Sequence, residues 1–191
     1  KVLGAILKQT NRISESLVAT QKSVQLDPLD SEAHKNLAII FEEIGRLNEA
    51  ETSLRQAITL KPDYAEAHNN LGAILKELGR LDEAEASYGQ AITLKPDYAE
   101  ARNNLGVMLQ ELGRLKEAEA SYGQAIALKP DYAEAHNNLG ITLQELGRSD
   151  EAETSYGQAI TLKPDHAEAH NNLGVMLQEL GRSDEAETNY R

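Results

Sequence analysis

The side chains most able to do chemistry in this sequence come at fixed intervals. His34, His68, His136 and His170 share one register, Arg102 fills the remaining place, and His166 lies four residues before His170. Two histidines four apart at a helix start are able to share a metal ion, and a general base needs a partner within hydrogen-bond reach. A row that supplies one histidine per interval builds neither constellation, so these residues read as packing or interface histidines. Glutamates are abundant, but no pair is set apart for acid–base work. The glycines stand singly instead of clustering into a phosphate-cradling loop. With no cysteine there is no thiolate nucleophile or thiolate metal site. The expectation is therefore no catalytic residue, no metal and no cofactor. What remains is a row of amides, Asn36, Asn70, Asn104, Asn138 and Asn172. A carboxamide offers one acceptor and two donors, so such a row suits the backbone of an extended chain whatever its side chains.

The interval that sets these rows is thirty-four residues. Pro28, Pro62, Pro96, Pro130 and Pro164 obey it, as do Gly45, Gly79, Gly113, Gly147 and Gly181. Tyr88, Tyr122, Tyr156 and Tyr190 form another row, and Tyr64, Tyr98 and Tyr132 a further one. Residues 65–98 and 133–166 agree at 28 of 34 positions. A fixed period of this length is the signature of a repeat architecture.

Each interval reads as two helices. Asp63 followed by Glu66 has the form of a capping box, which starts a first helix over Tyr64–Leu78. Gly79 stands where a left-handed C-terminal cap is needed. Asp82 with Glu85 repeats the start signal, as do Asn48 with Glu51, Asp150 with Glu153 and Asp184 with Glu187. A second helix then runs to Leu94, because Lys95 precedes Pro96 and is pushed out of the α region. At about 100° per residue, Ala67, His68, Leu71, Ile74, Leu75 and Leu78 share one packing arc. Gly72 borders it. Glu66, Asn70, Ala73 and Glu77 share the opposite side, and Asn69 falls at the margin. On the second helix Ala84, Tyr88, Ala91, Ile92 and Leu94 make the apolar face. No single pair buries enough surface alone, so neighbouring pairs must stack.

At these residues the chain resembles the tetratricopeptide repeat family. His68 stands for that family's first aromatic, followed by Leu71-Gly72, Leu75, Ala84, Tyr88, Ala91 and Pro96. The resemblance implies an all-α fold, a right-handed superhelical solenoid of antiparallel helix pairs, divided as 31–64, 65–98, 99–132 and 133–166. It implies a degenerate partial repeat over 1–30 and a partial repeat over 167–191. Ser16, Thr20 and Ser23 stand there where alanines and the tyrosine are expected. Both ends suggest a piece of a longer chain, since Lys1 aligns inside a first helix and Arg191 inside a second. The asparagine row looks most like the superhelix of O-linked N-acetylglucosamine transferase-type proteins, whose first helices line an inner wall that grips extended peptides. That places Asn36, Asn70, Asn104, Asn138 and Asn172 on the wall as a ladder. Two readings stay open: the ladder binds peptide, or it bonds neighbouring helices and only keeps the repeat geometry.

The surroundings narrow the partner. Glu66, Glu100 and Glu134 flank the ladder on one side and Glu77, Glu111 and Glu145 on the other. Ile39, Ala73, Val107, Ile141 and Val175 supply an apolar floor. Such a groove suits an extended segment with basic and small apolar side chains. The lysine-rich clamp by which chaperone-adaptor members of the family hold a terminal carboxylate is not matched. The formal net charge of -12 repels phosphate backbones and leaves a protein or peptide as the partner, with nucleic acid not expected. No apolar run approaches the roughly 20 residues of a membrane span, so no membrane partner is expected and a cytoplasmic location is. The leading expectation is a non-catalytic scaffold for protein–protein interaction. Its rivals are an array that self-associates through open repeat ends and the substrate-recruiting arm of a larger transferase.

Overall fold

The computed structural model describes residues 13–189. The segment 1–12, which includes Leu3, Gly4 and Leu7 of the degenerate repeat, lies outside the described residues, as does Tyr190 of the tyrosine row. The chain divides into two compact units, Lys1–Pro96 and Asp97–Arg191. The first holds α1 (Ile13–Leu26), α2 (Ser31–Glu43), α3 (Leu47–Leu60), α4 (Ala65–Glu77) and α5 (Leu81–Leu94). The second holds α6 (Ala99–Glu111), α7 (Leu115–Leu128), α8 (Ala133–Glu145), α9 (Ser149–Leu162), α10 (Ala167–Glu179) and α11 (Ser183–Asn189). All regular structure among the described residues is α-helical.

Within the first unit α2 pairs with α3 and α4 with α5, while α1 packs on α2, α3 on α4, and α2 lies beside α4. Within the second, α6/α7, α8/α9 and α10/α11 are the pairs. There α7 packs on α8 and α9 on α10, and the first helices α6, α8 and α10 lie side by side. Each unit is thus a stack of helix pairs, in which every first helix touches a second helix and another first helix. Ser16 and Thr20 of α1 are buried at the places that alanine and tyrosine hold elsewhere.

The helix ends follow from the sequence in two ways, one expected and one not. Gly79 has φ +74°; its N–H bonds the Lys76 carbonyl at 2.9 Å, and the Arg80 N–H bonds the Leu75 carbonyl at 2.9 Å. That double closure is a Schellman motif, and it needs a residue free to take the left-handed conformation. The capping boxes are not formed at α3, α4, α5 and α9. The residue before α4 is Tyr64, with no side-chain cap bond, and Asp63 stands one position too early to reach the helical amides. Asp30 occupies the Tyr64 place in the preceding repeat, and there the carboxylate accepts from the Glu32 and Ala33 amides at 3.0 and 3.1 Å. Likewise α5 is preceded by Arg80 and α9 by Arg148, so Asp82 and Asp150 fall inside the first turn. They face the positive end of the helix dipole there but do not cap it.

The core is built from small residues against one large one. Ala84 and Ala91 are buried with Tyr88 on α5, and Ala118 and Ala125 with Tyr122 on α7. The Tyr122 ring lies against the first helix of its own repeat, where a Cβ on Gly106 would come within 2.7 Å of it. Leu105, Val107 and Leu109 complete that contact together with Leu139 of the next repeat. Leu139 also packs on the following cluster around Tyr156, Leu173 and Met176, so the apolar interior passes without a break from one pair to the next.

Candidate functional site

The paired asparagines join neighbouring repeats. In the second unit the Asn138 side-chain N–H of α8 donates to the Asn103 carboxamide oxygen of α6 at 3.1 Å. The Asn172 N–H of α10 donates in the same way to Asn137 of α8 at 3.1 Å. Asn103 and Asn137, which accept, are buried, and Asn138 and Asn172, which donate to them, are half-buried. Asn137 is only 1 % exposed and Asn69 is buried too, against the marginal placement expected of the first asparagines, whereas Asn171 is exposed. A wheel drawn against one neighbour makes the buried arc too narrow, because a first helix in the stack has neighbours on two sides. In the second unit Asn103 and Asn137 accept a bond from the following repeat, and Asn138 and Asn172 are each anchored by one N–H. Among the described residues, Asn138 and Asn172 have no further side-chain partner, which leaves an oxygen and a second N–H on each available.

In the first unit Asn36 on α2 and Asn70 on α4 are half-buried. Asn69 donates to the Asn70 oxygen at 3.4 Å, a long contact within one dipeptide. Asn104 on α6 is half-buried as well. Of the flanking carboxylates, Glu77, Glu100, Glu111, Glu134 and Glu145 are exposed and Glu66 is half-buried. Glu134 also meets Lys163 of its own chain at 3.7 Å. Burial, and then Glu100 and Glu134, push the Tyr132 hydroxyl up to about 12. Burial, followed by Glu111 and Glu145, raises Tyr122 as well, so a negative field covers this face of α6 and α8. A second set of bonds lies two helical turns from the asparagine rungs. Gln110 donates to Glu145 at 2.8 Å and Gln144 to Glu179 at 3.1 Å. The half-buried Val107 and Ile141 lie between the two sets.

Family models for the tetratricopeptide repeat match residues 63–131, 97–165, 131–191 and 19–52, and a further model described as TPR repeat matches 41–79. The chain belongs to the tetratricopeptide repeat (TPR) family. No curated protein matches the chain in sequence. Among solved structures it is similar to MamA, at 26% identity and a TM-score of 0.73, over 86% of this chain and 96% of that one. It is similar in fold to PilW, described as a widely conserved type IV pilus biogenesis factor, at 23% identity and a TM-score of 0.89 over 98% and 87%. YrrB, described as a TPR protein with an unusual peptide-binding site, shares the fold at 23% identity and a TM-score of 0.66 over 87% and 86%. The finer likeness to the transferase-type superhelix is not supported by these matches.

Two features of this TPR stack escaped the sequence reading or changed its meaning. The first is a clamp at the turn between the helices of a pair. Arg80 binds Glu83 of its own helix through Nε at 2.8 Å and Nη2 at 2.7 Å, and its Nη1 reaches Glu51 of the preceding repeat at 2.7 Å. Arg148 joins Glu151 and Glu119 in the same way, and Arg182 joins Glu185 and Glu153. The signal was present in the Gly-Arg step at every interval with glutamate three residues later. The second is the histidine row. Each imidazole Nε2 donates to a proline carbonyl six residues back, His68 to Pro62 at 3.1 Å and His136 to Pro130 at 3.1 Å, which fastens the entry loop to the helix. No group of three or more histidine, aspartate or glutamate side chains suited to a metal occurs among the described residues. Arg102 replaces the imidazole in one TPR and bonds Gln124 instead.

The clamps make a pH prediction. Hydrogen bonds from Arg80, Arg148 and Arg182 hold Glu83, Glu151 and Glu185 below the ordinary carboxylate value of 4.5. A carboxylate whose folded value is depressed contributes stability above its unfolded value, and that contribution is lost as pH falls through the folded value. The melting temperature is expected to fall as pH drops below about 4.5, and the Arg80→Met/Arg148→Met variant is expected to melt lower at neutral pH but to decline less steeply in acid. Parallel melting curves against pH for the two proteins would show that the clamps do not contribute.

Proposed function

We propose that this TPR chain is a non-catalytic scaffold whose first-helix faces bind an extended, basic segment of a partner protein. The observation that carries this is the state of Asn138 and Asn172. Each is fixed by one bond to a buried asparagine of the preceding repeat, and each keeps an acceptor and a donor for a ligand backbone. An amide already ordered in the free protein costs less to recruit than a mobile one. The exposed glutamates around it supply negative charge, which favours lysine and arginine on the ligand and disfavours nucleic acid. The peptide-binding site described for YrrB is a property of that protein, and it gives the reading a precedent on the same fold. A cytoplasmic location is part of the proposal. No helix among the described residues is long and apolar enough to cross a membrane.

The test separates the two asparagines of each pair. The Asn104→Ala/Asn138→Ala variant is expected to bind a fluorescent lysine- and alanine-rich peptide about tenfold more weakly than the parent, as loss of two polar contacts would give. Its helical circular dichroism should change little. The Asn103→Ala/Asn137→Ala variant is expected to melt earlier than the first, because it removes both cross-repeat bonds whereas Asn138→Ala removes only the one to Asn103. Equal peptide affinity in the first variant would overturn the ladder as a binding surface.

A further inference from the structure

The geometry of the Asp97–Arg191 unit points to a more specific ligand: we propose a polyproline II segment with lysine or arginine at every third residue, read by Glu145 and Glu179 while Gln110 and Gln144 hold those carboxylates in place. The inference rests on the peptide-binding reading above and names the register in which the peptide sits. Each glutamine bridges three helices. The Tyr122 hydroxyl of α7 donates to the Gln110 oxygen at 3.1 Å, and the Gln110 N–H donates to Glu145 of α8 at 2.8 Å. The same relay runs from Tyr156 of α9 through Gln144 at 3.0 Å to Glu179 of α10 at 3.1 Å. Tyr122 and Tyr156 are fully buried. Their hydroxyls therefore fix which end of each carboxamide faces the glutamate, and the bond that follows tethers one carboxylate oxygen. Glu145 and Glu179 are exposed beyond that tether. An exposed glutamate ordinarily has to be ordered when it binds a cation, and here much of that ordering is already done.

Spacing selects the ligand conformation. First helices packed side by side lie about 8–10 Å apart, so the two tethered glutamates recur at about that interval. A polyproline II chain rises about 3.1 Å per residue with three residues per turn, so every third side chain returns to the same side after about 9 Å. A β-strand covers a similar distance in three residues, but its side chains alternate and the third one points away. Polyproline II also leaves its backbone without internal hydrogen bonds. The second polar requirement of such a ligand is met by the asparagine rungs, since Asn138 and Glu145 lie seven residues apart on α8, about 10 Å along one side of the helix. The first unit has Glu42 and Lys76 where Gln110 and Gln144 stand. The register is accordingly assigned to the second unit.

The experiment uses the full chain and three fluorescent peptides built from proline, alanine and lysine. One carries lysine at every third residue, one has the same composition with the lysines clustered, and one has glutamine for lysine in the periodic arrangement. By fluorescence anisotropy the parent is expected to prefer the periodic lysine peptide over the clustered one by about fivefold, the effect of two exposed ion pairs, and to lose that margin in high salt. The Gln110→Met/Gln144→Met variant is expected to bind the glutamine peptide as the parent does and to lose the preference for periodic lysine. A merely structural role for the glutamines would weaken all three peptides alike and would overturn the assignment. Equal binding of periodic and clustered peptides by the parent would overturn the register while leaving peptide binding intact. Failure of all three peptides to bind would overturn both readings.

Discussion

Replacing Tyr122 with alanine is expected to destabilise the Asp97–Arg191 unit by about 3–5 kcal/mol, measured by urea unfolding followed by circular dichroism. The ring has 0% of its surface exposed and fills the space between α6 and α7. The side chains around it cannot close the gap. Gly106 has no side chain to move, and Ala118 and Ala125 have only a methyl group each. Leu139, which packs on the Tyr122 cluster, also packs on the next one, so the loss spreads toward Tyr156. In a stack held by nearest-neighbour contacts such a lesion weakens a junction as well as a repeat. Tyr122→Phe separates the ring from its hydroxyl. That variant keeps the packing and loses the bond to Gln110, so about 1 kcal/mol is expected. A loss below about 1 kcal/mol for Tyr122→Ala would show that the tyrosine does not carry the junction.

Two glycines that look alike in sequence are expected to respond to alanine with opposite signs. Alanine within a helix is ordinarily more stable than glycine by about 0.5–1 kcal/mol. At Gly106 the added Cβ would fall 2.7 Å from the Tyr122 ring, a distance that forces the helix pair apart. Overpacking a filled core costs about 1–3 kcal/mol, which exceeds the helical gain, so Gly106→Ala is expected to be destabilising. At Gly123, in the middle of α7, a Cβ would meet nothing within 4 Å. Gly123→Ala is therefore expected to stabilise by about 1 kcal/mol. Thermal melts of the two variants beside the parent decide the matter. A stabilised Gly106→Ala would mean that the first and second helices of a pair are not in the close contact described.

The part of this architecture that was legible in the sequence is the part dictated by one residue at a time. Gly79 reads as a left-handed cap because little else fits the conformation, and it takes φ +74°. Tyr88, Ala84 and Ala91 read as one face because their spacing leaves no alternative, and all three are buried. The capping boxes failed because Asp63 and Tyr64 compete for the last position before the helix, and a bulky ring that buries itself takes it. The burial of Asn69, Asn103 and Asn137 was not legible either. A polar residue beside the core arc reads as a surface residue unless its partner is known, and for Asn103 and Asn137 the partner lies 35 residues away in the chain. The arginine clamps were hidden for the same reason, since Arg148 and Glu119 are 29 residues apart. Short-range pattern finds helices, but the bonds that tie repeats together become visible only once the stacking is known.

The asparagine rungs carry a further implication for how such a chain changes length. Both rungs, Asn103–Asn138 and Asn137–Asn172, join position n to position n + 35, one more than the repeat interval, so each bond crosses a junction between repeats of the second unit. If a segment of thirty-four residues is copied in or cut out within the Asp97–Arg191 unit, the new neighbours again place a donor and an acceptor asparagine in register. An insertion that is not a whole number of repeats mismatches the amides on both sides of the cut. Only a change by whole repeats keeps such amides paired.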